Sequence, residues 1–270
     1  MEGKCNVIAG EQNDIAEGAV NDAGYVGDYL VGDVLLSKEP LAMVTRSGEQ
    51  SWSDVANWVL RALFLAEKMN ITKANAGEFA SLVPANAPDG IDFVTAIATV
   101  GHYGDMYERN LEQLVPRKGL NRLYKDGEDV ETGLLYSLPL GDVNSDFRYD
   151  LASKGRMKEI LARGSVRCGI PEKYKKMGED IFGVDDYCRA LSASILSADP
   201  TLVEYVFLSD HDGDWLKLLN EGIVDVVAGQ NDNFRSDVRE SDVEASGYTG
   251  LVFTQTYYYD ESGEGLNDQG

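Results

Sequence analysis

Past residue 150 the chain alternates helix-like and strand-like segments without a break, and this rhythm restricts the fold more than any other feature. "LASKGRMKEILARG" (151–164) is a helix stopped by Gly164, and "SVRCGIP" (165–171) is a strand. "GVDDYCRALSASILSAD" (183–199) is a helix and "LVEYVFLS" (202–209) a strand. "GDWLKLLNEG" (213–222) puts Trp215, Leu216, Leu218 and Leu219 on a short amphipathic helix, with Gly222 in the C-terminal cap position. "IVDVVAG" (223–229) reads as a buried strand and "QNDN" (230–233) as a turn. The alternation implies an α/β fold with a mostly parallel sheet covered by helices. In open sheets of this kind, ligands bind at the loops that follow strand C-termini.

One unit of this rhythm occurs twice. "EGIVDVVAG" (221–229) is nearly repeated as "EGKCNVIAG" (2–10). The first copy keeps the Gly at position 3, the strand rhythm of Cys5, Val7, Ile8 and Ala9, and a polar exit, "EQND" (11–14). It lacks the preceding helix. Two related lobes explain the recurrence better than chance.

Between the copies, 31–46 holds two short strand-like runs around 38–40. "SWSDVANWVLRALFLAEKM" (51–69) is an amphipathic helix that Ser51 or Ser53 can cap, with Trp52, Val55, Val59, Leu63 and Ala66 on one stripe. Residues 86–111 read as a loop and then helices broken near 101–104, and "GLNRLYKDG" (119–127) as a short helix ending at Gly127. "GDVNSDFRYD" (141–150) is polar, has no periodicity and reads as a linker.

Charge and motifs exclude several function classes. There are 24 basic and 46 acidic residues, for a net charge of −22. Such a surface repels phosphate backbones and anionic lipid, which argues against nucleic acid and membrane surfaces as partners. It suits a salty or extracellular medium, or the handling of cations. The N-terminus has no basic region followed by an apolar one, so no secretory signal is expected in this chain. The longest greasy stretch, "WVLRALFLA" (58–66), is about half the length of a bilayer span and contains Arg61, so direct membrane insertion is not expected. No G-x-S-x-G, Walker A, H-E-x-x-H or C-x-x-C occurs, and the two histidines, His102 and His211, lie far apart in sequence. No catalytic constellation and no cofactor site is therefore expected.

Two weaker motifs carry bland readings. Asn70-Ile71-Thr72 is a glycosylation sequon whose default explanation is chance. Asp210, Asp212, Asp214 and Glu221 fall at positions 1, 3, 5 and 12 of a calcium-loop pattern. Trp215 stands where that loop needs Gly, and acids charging a helix N-terminus explain the run better. Cys5, Cys168 and Cys188 are an odd number, so any pairing leaves one over.

"RGSVRCGIP", "FGVDDYCRALSASIL", "VEYVF" and "LLNEGIVDVVAG" together resemble the start of a mature amino-acid-binding protein of ABC importers. These are the family 3 extracellular solute-binding proteins, and the nearest likeness is to the general L-amino-acid binders. "GKCNVIAGEQNDI" (3–15), residues 36–75 and "GHYGDMYERNLEQLVPRKGLNRLYKDG" (101–127) resemble the end of such a protein. The order is inverted: the family's end comes first.

The resemblance implies a type II periplasmic-binding-protein-like clamshell, two lobes joined by two crossover strands. Mapped onto this chain, 1–35 is a remnant of lobe two. Residues 36–142 are the return strand and C-terminal helices of lobe one, and 143–150 the linker. Residues 151–258 are the N-terminal part of lobe one, and 259–270 an acidic tail toward the hinge. "TYYYD" (256–260) then enters the hinge, its aromatics packing rather than stacking a ligand. Lobe one is nearly complete in permuted order, and part of lobe two is missing.

The resemblance also pairs Cys168 with Cys188 and leaves Cys5 without its partner; three buried free thiols are the alternative. It implies an Arg for the ligand carboxylate, best matched by Arg239 in "SDVRE" (236–240) after a two-residue insertion, with Arg235 competing. Asn231, Asp232, Asn233 and Phe234 replace the family's Thr/Trp/Thr loop. A surface Arg paired with Asp237 or Glu240 is the bland reading. Glu11 takes the position of the ammonium-binding acid, against an exposed loop acid.

The functional expectation is an extracellular or periplasmic solute-binding domain for amino acids or similar small zwitterions. It would bind in an interlobe cleft and pass its ligand to a membrane transporter, with neighbouring repeats of the same chain as further partners. The alternative is a structural or interaction module that has lost its ligand.

Overall fold

The computed structural model describes residues 7–11, 15, 20–21, 23–32, 37–84, 87, 89–113, 115–124, 133–138, 155–171, 184–208, 214–231 and 250–267. Within these, a mixed eight-stranded sheet carries helices on both faces. In chain order the strands are β1 (Val7–Glu11), β2 (Tyr29–Val31), β3 (Ser37–Arg46), β4 (Val166–Pro171), β5 (Val203–Leu208), β6 (Val226–Asn231), β7 (Leu251–Phe253) and β8 (Tyr258–Asn267). The helices are α1 (Gln50–Lys68), α2 (Phe93–Val100), α3 (Tyr103–Asn110), α4 (Gly155–Arg163), α5 (Val184–Ile195) and α6 (Asp214–Asn220).

The spatial order is β1-β8-β3-β6-β4-β5, with β2 on β8 and β7 on β3. β4 pairs in parallel with β5 and β6, which is the parallel core that the alternation after residue 150 predicts. β3 closes it antiparallel to β6. Val166, Cys168, Val203, Val226 and Ala228 point to the larger core, shared with α1, α2, α3, α4 and α5. Val44, Leu208 and Val227 point to the other face, where α6 lays down Trp215, Leu216 and Leu219.

α1 forms as its stripe predicts: Trp52, Val55, Val59, Leu63 and Ala66 are all buried. Its cap differs from expectation. Glu49 is the N-cap residue and neither Ser51 nor Ser53 caps the helix; Ser53 Oγ instead lies 2.6 Å from Thr45 Oγ1 and donates to Glu49 O. α2 and α3 break between Val100 and Tyr103, as expected near 101–104. His102 caps α3: its Nδ1 accepts the Asp105 N–H at 3.1 Å, and the Asp105 carboxylate accepts the His102 N–H. Gly222 ends α6 with φ 73°, and a Cβ there would run into the Arg156 guanidinium.

Three sequence expectations are corrected. The run after 38–40 extends back through Pro40 to Ser37 as one ten-residue strand, β3, while residues 33–36 of the run before it lie outside the described residues. The helix over 119–127 shrinks to a single 3₁₀ turn, Gly119–Asn121, because Leu123 forms a bridge with Leu134 instead. The strand of "IVDVVAG" starts at Val226 and continues two residues past Gly229, so Gln230 and Asn231 belong to β6 rather than to a turn.

Candidate functional site

The midpoint of the sheet is a long antiparallel ribbon. β3 pairs with β8 from Ser37↔Ser262 to Leu41↔Tyr258. At one end, Leu41 also pairs with Asn231, the last residue of β6. At the other end, Ser262 also pairs with Glu11, the last residue of β1. The Glu39–Asp260 rung is therefore the centre of an approximate two-fold relation. It exchanges Leu41 with Ser262, Ser37 with Tyr258, and Asn231 with Glu11. The two copies of the repeated phrase end at equivalent points, within one residue of their sequence alignment. They meet the ribbon from opposite edges, roughly 14 Å apart across the sheet and roughly 13 Å along it.

The backbones of Glu11 and Asn231 thus flank one ribbon. Arg239, Arg235 and Asp232, with Asn233 and Phe234, lie outside the described residues, as do Cys5, Asp210, Asp212 and His211. Asp214 opens α6, and Glu221 follows that helix about 10 Å away along its axis. Glu221 is exposed and lies 4.0 Å from Lys217. Among the described residues, no group of three or more acidic, His or Cys side chains is placed to hold a metal ion. No described helix is long and apolar enough to cross a membrane.

The Tyr257–Tyr259 half of the ribbon is bedded in aromatics. Tyr257 and Tyr258 are fully buried, and the Tyr187 ring lies 4.2 Å from that of Tyr257. Tyr103 donates its hydroxyl to Tyr257 O at 2.6 Å. Burial pushes the hydroxyls of Tyr103 and Tyr187 well above their ordinary pKa, so both stay neutral donors. Asn121 reaches the next residue. Its Oδ1 accepts the Tyr259 N–H at 2.7 Å and its Nδ2 donates to Tyr259 O at 2.9 Å. Sequence reasoning did not single out Asn121, because no local pattern marks its distant partner.

Cys168 and Cys188 form a disulfide between β4 and α5. Their Cα atoms are 6.1 Å apart, within the usual range. At the N-terminal ends of β4 and β6 lies a buried ionic cluster. The Asp225 carboxylate, fully buried, receives Arg163 and the Arg167 N–H, with Arg156 at 3.6 Å. Burial raises its pKa, and the Arg167 N–H and the two guanidiniums pull it back. In open sheets of this kind ligands bind at the opposite, C-terminal ends of the strands, which leaves this cluster to serve the fold.

Beside it, Glu204 accepts the Ser165 hydroxyl, which holds its carboxyl below the usual glutamate pKa. A depressed folded-state pKa stabilises above the unfolded value and is lost as pH falls through the folded one. Ser165→Ala is therefore expected to raise the Glu204 midpoint in an NMR carboxyl titration. It should also flatten the acid limb of the stability curve slightly, since Glu204 is half exposed.

An open groove of about 520 Å³ lies on the helical layer, lined by Thr72, Lys73, Ala74, Asp105, Glu108 and Arg109. Its cations are already engaged: Lys73 donates to Thr99 O and Arg109 pairs with Asp186.

With this geometry in hand, the relatives are informative. The chain is 31% identical over 138 residues to the general L-amino acid-binding periplasmic protein AapJ of Rhizobium johnstonii, covering 42% of this chain and 38% of that protein. It is 32% identical over 131 residues to the glutamate/glutamine/aspartate/asparagine-binding protein BztA of Rhodobacter capsulatus, covering 42% and 37%. It is 27% identical over 157 residues to the putative amino-acid ABC transporter-binding protein YhdW of Escherichia coli K12, covering 51% and 44%. All three are binding proteins, not enzymes. The chain spans less than half the length of these curated relatives. No protein-family model matches it, and no solved structure does.

Proposed function

We propose that the chain is a solute-binding unit for amino acids or similar small zwitterions, the capture component of an ABC-type uptake system outside the cytoplasmic membrane. The observation that carries this reading is the two-fold relation at the Glu39–Asp260 rung. Two equivalent strands, β1 and β6, end at opposite ends of one crossover ribbon, as in a two-lobed binding protein. The amino-acid-binding relatives and the mixed α/β sheet support it.

In this reading the parallel sheet and its helices are lobe one in permuted order, and β1 with β2 is the remnant of lobe two. Arg239, or Arg235, pairs with the ligand carboxylate and Glu11 with its ammonium, while Asn231 and Asp232 lie beside them. A guanidinium and a carboxylate facing each other across a cleft select a zwitterion over a simple acid or amine.

Thermal unfolding of the chain with a panel of L-amino acids tests this. A ligand at a hundred times its Kd stabilises by about 2.7 kcal/mol, which raises the midpoint by several degrees. Arg239→Ala is expected to abolish the rise without lowering the ligand-free midpoint. A flat panel would favour an interaction module that has lost its ligand.

A further inference from the structure

The hinge strand β8 is held in two different ways along its length. From Ser262 onward it is flanked by β1 on one edge, with β2 joining the other from Gly265. Before that it is fastened to the helical layer by side chains. Tyr103 takes the Tyr257 carbonyl, and Asn121 takes both the N–H and the C=O of Tyr259.

The Asn121 contact replaces a missing strand. Tyr259 lies opposite Pro40 in a pair whose peptide groups face away from each other, as every second pair of an antiparallel ladder does. Its peptide groups turn to the other edge of β8, which β1 does not cover before Ser262. There the Asn121 carboxamide offers one acceptor and one donor, as a neighbouring strand residue would. Asn121 is itself braced. Arg117 Nε donates to Asn121 O at 2.7 Å, and its guanidinium lies over the rings of Tyr103 and Tyr107. The same guanidinium pairs with Glu67 of α1 at 2.7 Å. The clamp is thus anchored in α1 and α3 together.

We propose that Asn121 is a positioning residue that ties β8 to lobe one as far as Tyr259. Bending of the β3–β8 ribbon then falls beyond it, across the Lys38–Glu261 and Glu39–Asp260 rungs. This rests on the two-lobed reading: a clamshell needs a pivot, and the clamp sets where it lies. A pivot fixed on one side rotates the far lobe about a defined rung, which keeps two halves of a ligand site in register when they meet.

Amide hydrogen exchange on the full chain tests it without any ligand, so its outcome is separate from that of the amino-acid panel. In the wild type, the Tyr259 amide is expected to be protected at least about tenfold more than that of Glu261, which faces the same edge of β8 beyond the clamp. Asn121→Ala should raise exchange at Tyr259 by about tenfold or more while leaving Val166–Pro171 unchanged. Two results would overturn the proposal. One is a wild-type Tyr259 amide that exchanges as fast as that of Glu261. The other is an Asn121→Ala variant that loosens β4 as much as Tyr259, which marks a residue of general stability only. Arg117→Ala, which removes the brace but not the carboxamide, should give a smaller rise at Tyr259 alone; no rise there would count against the anchoring.

Discussion

Asp225→Ala is expected to cost about 3–5 kcal/mol of stability and to lower the unfolding midpoint by roughly 10 °C. The carboxylate has no solvent exposure, and three groups converge on it: the Arg163 guanidinium, the Arg156 guanidinium and the Arg167 N–H. Removing it leaves Arg156, itself largely buried, without its buried anion. The backbone of Asp225 adds to the site: its carbonyl accepts Trp52 Nε1–H at 2.8 Å and its N–H donates to Arg167 O. Those two bonds survive the substitution, so the loss reports the carboxylate. Arg163 and Arg156 keep Ser165 O and Glu159 respectively, which holds the cost toward the lower end. Asp225→Asn retains an acceptor for the Arg167 N–H and should fall between wild type and Ala. In a double-mutant cycle, Arg163→Ala should cost less in the Asp225→Ala background than in wild type. Additive costs, or an Asp225→Ala penalty within 1 kcal/mol of zero in chemical denaturation, would remove this cluster from the account of the fold.

Trp52 shows why the cluster matters to the whole chain. It belongs to the segment before residue 139, whereas Asp225, Arg156 and Arg163 belong to the segment after 154. The two segments build one core, with β3 inserted between β6 and β8. Local periodicity made most of these elements legible. α1, α2, α3, α5, β4 and β5 each lie within a few residues of their expected places, because their signals are complete within the segment.

The misreadings share a cause: each was decided by a distant partner. Pro40 normally argues against a strand interior. Here its register with Tyr259, distant in sequence, turns the missing N–H away from β8, so the β3–β8 ladder loses no bond. The helix over 119–127 yields after Asn121 because Leu123 and Tyr124 find Leu134. Ser53 leaves the cap of α1 for Thr45 on β3. In the same way, the repeated phrase revealed two equivalent strands, but only the register of β1 and β6 on the ribbon revealed that they end at two-fold-related rungs. The ligand-pairing roles proposed for Arg239 and Glu11 rest on chemistry and resemblance, and they stand or fall with the amino-acid panel.

Replacing both Cys168 and Cys188 with Ala is expected to destabilise the protein by about 3 kcal/mol through lost loop closure over their 20-residue separation. The midpoint should fall by roughly 6–12 °C. The bond ties the centre of β4, where Cys168 pairs with both Tyr205 and Val226, to α5 directly above it. Both cysteines are completely buried, so reductant should act slowly on the native protein and readily once it unfolds. Wild type unfolded in dithiothreitol should therefore approach the stability of the double variant, while the double variant should be indifferent to reductant. Equal wild-type midpoints with and without reductant would show that the pair contributes nothing. α5 also carries Tyr187, whose ring packs on Tyr257 at the root of β8. A loosened α5 should accordingly raise amide exchange at Tyr257 as well as around Cys168. Thiol counting gives an independent check. Of the three cysteines, two are in the bond, so the denatured, unreduced protein should titrate one thiol, that of Cys5.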